Sequence, residues 1–154
     1  MLSPVHYVSH GQAHGLVVTW IYTYVASTPH VNAGDNATVR LDLDNEVQPD
    51  VLLRIDEAAG GQSRISDDDY VEGAPELVVE VAHSSAAYDL HDKKTAYRRN
   101  GVREYVVWQI EDNRLDGFVL DGGAYVPLNL EAGAIGSRTF PGLRLDVEAL
   151  LERD

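Results

Sequence analysis

The chain has 154 residues, 44% of them hydrophobic and 24% charged, with no cysteine and a formal net charge of −13 at pH 7. That balance suits one globular domain with a real core and excludes a mostly disordered chain, a disulfide framework and any thiolate nucleophile or metal site. The acidity disfavours a nonspecific nucleic-acid coat or membrane-surface binder, and no run approaches the roughly 20 apolar residues of a membrane span.

A helix is expected from Ser9 to Thr28, where Ala13, Leu16, Val17, Trp20, Ile21, Tyr24 and Val25 recur at helical steps before Pro29. His10 and His14 stand one turn apart on it, a zinc-compatible spacing, but no HExxH glutamate accompanies them and they read as surface histidines. Gly34-Asp35-Asn36 is a turn. Val39, Leu41 and Leu43 then alternate with Arg40, Asp42 and Asp44, predicting a half-buried strand. A second strand is expected from Val47 to Ile55, with Pro49 marking an edge or bulge. Asp56 to Gly73 reads as a polar loop whose Asp67-Asp68-Asp69 run is a solvated surface.

Leu77-Val78-Val79-Glu80-Val81-Ala82 has the pattern of a strand buried on both faces. A helix follows from Asp89, its expected N-cap, to Asn100, with Gly101 at the C-cap. Glu104 to Ile110 is a further strand. Leu115 to Leu120 and Ala124 to Leu128 form a hairpin around Asp121-Gly122-Gly123. Phe140 to Leu145 is a short strand or extended segment leading into a terminal helix near Val147 to Leu151. Trp20 and Trp108 sit in apolar patterns and belong to the core. The expected fold is α/β, a single domain over residues 1–154 with a mixed β-sheet flanked by helices.

Two carboxylates have the wrong neighbours for a surface acid. Alternation puts Leu77, Val79 and Val81 on one face of their strand and Val78, Glu80 and Ala82 on the other, so Glu80 is buried. A buried carboxylate needs a cation, a hydrogen-bond network or a metal. An internal ion pair, with Arg98 as a candidate partner, would satisfy it. Asp50 follows Pro49 within a strand; alone it could be a strand-end acid, and with Glu80 on a neighbouring strand it could share a divalent cation. Lys93 and Lys94 lie early in the following helix. Asp89, Lys93 and Tyr97 share one face of it, so if Lys93 points inward, Lys94 points elsewhere. Five of the twelve Lys and Arg residues fall in this segment, as Lys93, Lys94, Arg98, Arg99 and Arg103. Any anion the protein handles would be met there.

The ordered set Gln48-Pro49-Asp50-Val51, Gly73 to Val81, Asp89-Leu90-His91-Asp92-Lys93, Tyr97 and Gly101-Val102-Arg103-Glu104-Tyr105 resembles the Uma-two family of putative restriction endonucleases, within the PD-(D/E)XK nuclease superfamily. The resemblance covers nearly the whole chain, from the His10 helix to Phe140-Pro141-Gly142. It implies a restriction-endonuclease-like core in which Asp50 and Glu80 bind Mg²⁺ or Mn²⁺ and, with Lys93, hydrolyse DNA phosphodiester bonds. The superfamily lysine would occupy position 82, where Ala82 stands; in the family resembled it comes from the next helix, and Lys93 is the matching position. His10 also falls where the family often has a histidine. Departures are the short segment before the first helix, the Ala82 to Tyr88 loop without a Ser-Pro-Ser stretch, and Val106-Val107-Trp108-Gln109 in place of a pattern often ending in aspartate.

Double-strand cleavage is simplest with two sites about a twofold axis, so a homodimer is expected, with Arg98, Arg99 and Arg103 as its nucleic-acid-contacting surface. Met1-Leu2-Ser3-Pro4 lacks signal-peptide features, pointing to the cytoplasm without membrane attachment. Two other readings stay open: a catalytically silent nuclease-like binding module, and a hydrolase of a small phosphorylated molecule.

Overall fold

The computed structural model describes residues 12–82 and 87–147, with backbone alone at 87–89 and 130. The first residues of the expected N-terminal helix (with His10), the 83–86 loop and the terminal helix past Val147 lie outside it. Helix α1 spans Gln12–Ala26, and strands β1 Val31–Asp35, β2 Val39–Arg40, β3 Glu46–Val47 and β4 Val51–Ile55 follow. Next come β5 Arg64–Ile65, β6 Val71–Glu72, β7 Leu77–Ala82, α2 Ala87–Arg99, β8 Glu104–Gln109, β9 Arg114–Asp121 and β10 Ala124–Pro127. The last elements are β11 Leu130–Glu131, β12 Ala134–Gly136 and β13 Arg144–Asp146. Among the described residues, no helix is long and apolar enough to cross a membrane.

The main sheet is mixed, in the order β1-β4-β7-β8-β9-β10, with β7 and β8 parallel and the other neighbours antiparallel. Its parallel pair is joined through α2, as parallel neighbours require a crossover. All six residues of β7 are buried, and their alternation divides two cores. Leu77, Val79 and Val81 pack with Ala13, Val17 and Ile21 of α1, while Val78 and Ala82 join Tyr97 of α2 with Leu52, Tyr105 and Val107. One helix thus covers each face. At the end of α2, Gly101 takes φ of 85°, and the Gly101 and Val102 amides close on the carbonyls of Arg98 and Tyr97 at 3.3 and 3.0 Å.

Several expectations need correction. The Val39 to Leu43 strand stops after Arg40, because the Asp42 carboxylate accepts from the Asp44 and Asn45 amides at 2.8 Å each, and Leu41 N–H bonds the Asn45 carbonyl. Asp and Asn close this turn more favourably than the alternation extends the strand, and Leu43 projects into solvent. The Val47 to Ile55 strand is two strands in different sheets. Pro49 is buried in their connector, and β4 is an interior strand, not an edge. The Asp56 to Gly73 loop carries a 3₁₀ turn at Glu57–Ala59 and the strands β5 and β6, which with β2 and β3 form a small sheet. Asp89 is the third residue of α2, so it is not the N-cap. The three-stranded sheet β11-β12-β13 was not expected.

Two buried glutamates hold loops onto this frame. Glu76, fully buried, accepts the Ile55 and Gln62 amides at 2.8 Å each. Glu104, also fully buried, accepts from Ser137 Oγ at 2.7 Å and from the Arg138 and Thr139 amides at 3.1 and 2.9 Å. Glu104→Ala strands these donors, each costing about 1–3 kcal/mol. We expect a stability loss of at least about 3 kcal/mol by urea denaturation, with a proportionate fall in the midpoint.

Candidate active site

The β4–β7 register pairs Val51 with Val79, so the next step brings Asp50 opposite Glu80 where the ladder ends. Pro49 cannot donate a ladder hydrogen bond, so pairing stops there and Asp50 turns into the opening. Asp50 Oδ2 accepts the Val81 amide at 2.7 Å, and the Asp50 amide points at Glu80 Oε2 from 3.5 Å. From α2 the Tyr97 hydroxyl donates to Glu80 Oε1 at 2.6 Å, and Lys93 Nζ lies 3.9 Å from the same oxygen. Lys93 and Tyr97 therefore share the inward face, as their spacing requires. Lys94 lies elsewhere, its ammonium 3.5 Å from the centre of the Phe118 ring.

Glu80 differs from the other buried glutamates in what it faces. Each oxygen of Glu76 and of Glu104 accepts a backbone amide. Glu80, only 3% exposed, confronts a second carboxylate. Burial pushes its pKa from 4.5 to about 7; the Lys93 ammonium pulls it down, the Asp50 charge pushes it up, and the Tyr97 hydrogen bond favours the ionised form. Burial and the Glu80 charge hold the Tyr97 phenol well above its ordinary range, so it remains a donor. Arg98 is not Glu80's partner; it donates to the Gly123 carbonyl at 3.2 Å.

His14 was read as a surface residue. Its side chain is 17% exposed, with Nδ1 3.8 Å from Asp50 Oδ1 and Nε2 3.9 Å from Asp35 Oδ2. The signal was present in its phase, since His14 stands three and seven residues before the buried Val17 and Ile21. The arginines are not gathered with the acids. Arg103 donates to Gln62 Oε1 at 3.1 Å, and Arg99 is exposed. Arg103 precedes Glu104, which pairs with Leu77, three residues down the strand from Glu80 and hence about 10 Å from it.

Among the described residues no group of three or more His, Cys, Asp or Glu side chains is arranged to hold a metal ion. The donor set fits a hard cation in a more open way. Two carboxylates meet at the end of the β4–β7 ladder, and Mg²⁺ is commonly held by one or two carboxylates with water and substrate phosphate.

The profile of the Uma2 (Uma-two) family, described as "Putative restriction endonuclease", matches residues 1–148. The fold is similar to the crystal structure of a putative nuclease belonging to DUF820 from Anabaena variabilis, with a TM-score of 0.73, 12% sequence identity, and 98% of this chain and 86% of that one covered. No functionally curated protein matches the sequence. The profile match spans nearly the whole chain and includes every residue of the acid pair and its lysine, and on that basis the chain belongs to the Uma2 family of putative restriction endonucleases.

Proposed function

We propose that the protein is a Mg²⁺-dependent endonuclease that hydrolyses DNA phosphodiester bonds, with Mn²⁺ able to replace Mg²⁺. The observation that carries this reading is a buried Glu80 facing Asp50, with Lys93 against the same oxygen that Tyr97 orients. Asp50 and Glu80 would hold the cation, which when bound supplies Lewis-acid polarisation of the phosphate and a more acidic water. Lys93 orients the attacking water and stabilises negative charge developing on the phosphate. Tyr97 fixes one oxygen of Glu80, leaving the other toward Asp50.

Relaxed and linear products from supercoiled plasmid in Mg²⁺ test the reading, with Asp50→Asn as the control that abolishes them. Intact plasmid with the wild-type protein would favour a catalytically silent nuclease-like module, a reading supported by the net charge of −13 and by Ala82 at the usual lysine position. Arg98, Arg99 and Arg103 are proposed as outlying phosphate contacts on a homodimer acting in the cytoplasm. Light scattering at micromolar concentration should give twice the chain mass; a monomer removes the dimer.

A further inference from the structure

On the other flank of α2 a cleft of about 200 Å³ opens between the helix and strands β8 and β9. Its lining includes His91, Lys94, Tyr105, Gln109, Asp116 and Phe118. Successive helix residues diverge by about 100°, so Lys93 is directed to Glu80 and Lys94 to this cleft. The register ties the two places together. Glu80 pairs with Val107 and Val107 with Asp116, so the cleft lies two strands from the acid pair, about 10 Å across the sheet.

Asp116 is divided between Arg114, whose Nε is 2.8 Å away, and the field of Lys94. Arg114 lies outside the lining, so within the cleft the Lys94 ammonium faces a single carboxylate, Asp116, that Arg114 already engages. The Lys94 ammonium rests on the Phe118 ring, which places it without consuming it in an ion pair. The cavity is smaller than the roughly 300–1,000 Å³ that encloses a whole small-molecule ligand, so it suits part of a longer one.

We propose that this cleft is a second phosphate subsite, in which Lys94 binds a backbone phosphate flanking the one held at Asp50 and Glu80. The proposal rests on the nuclease reading for the identity of the ligand, a nucleic-acid strand. Lys94 contacts substrate away from the reacting atoms and is a positioning residue. His91 and Gln109 in the same lining offer further hydrogen bonds to that backbone.

Fluorescence anisotropy of a short labelled DNA duplex, in EDTA and across a salt series, tests it. Lys94→Gln should weaken binding about tenfold and lower the slope of log affinity against log salt by about one ion, while Lys94→Arg keeps both. Equal affinity and slope for Lys94→Gln and wild type overturn the subsite. So does a loss of affinity with the slope unchanged, which is what damaged packing on Phe118 would give, and so does a wild-type protein that does not bind the duplex. The plasmid assay keeps the two readings apart. A protein that binds through Lys94 and cuts nothing loses the nuclease reading alone, and one that cuts while Lys94→Gln binds normally loses the subsite alone.

Discussion

Glu80→Gln should make the metal-free protein more stable above neutral pH, against the usual direction of substitutions in a buried strand. The Glu80 pKa is raised from 4.5 to about 7 in the folded chain, chiefly by burial. Between these values the folded state holds a proton that the unfolded state releases, so wild-type stability falls as pH rises through that window and levels off above it. A rise of that size corresponds to about 3 kcal/mol. Glutamine carries no such cost and still accepts from Tyr97. In EDTA the variant should match wild type near pH 4.5 and melt roughly 6–12 °C higher at pH 8. Mg²⁺ should then raise the melting temperature of the wild type alone. A variant that melts lower than wild type at pH 8 would mean that Glu80 serves the fold as Glu76 and Glu104 do.

Lys93→Ala should reduce plasmid cleavage by about 10²–10³-fold, the range seen when one electrostatic stabiliser of a transition state is removed. Its ammonium, 3.9 Å from Glu80, also holds the Glu80 pKa down. Without it Glu80 keeps its proton to higher pH, so Mn²⁺ binding should weaken near pH 7 and recover in more alkaline buffer. Cleavage should not recover with it, which separates the charge supplied to the phosphate from the charge supplied to Glu80. Cleavage by Lys93→Ala within about threefold of wild type would remove the lysine from the site.

The acid pair and its lysine were legible because burial and periodicity conflict there. Glu80 interrupts an otherwise apolar strand, and its alternation partners Val78 and Ala82 did fall on the α2 face. Helical phase put Lys93 on one face with Tyr97 and Lys94 on another, and the family resemblance chose Lys93 between them. Glu76 and Glu104 carried no comparable signal: each sits at the edge of an apolar run, where an acid is ordinarily solvated, and what buries them is a loop distant in sequence. His14 was missed because it was weighed only against His10 as a metal pair, rather than against the buried stripe it continues. Leu43 failed for a local reason, since the Asp42 and Asn45 turn reverses the chain before the alternation can extend. Strands of two residues, such as β5, β6 and β11, are fixed by their neighbours and leave no period to read.

The central claim is that Asp50 and Glu80 form one divalent-cation site. Calorimetric titration with Mn²⁺ at pH 8, where Glu80 is ionised, measures it directly. One Mn²⁺ should bind per wild-type chain, and binding should be lost in both Asp50→Asn and Glu80→Gln. No binding by the wild type, or unchanged stoichiometry and affinity in Glu80→Gln, would contradict the account.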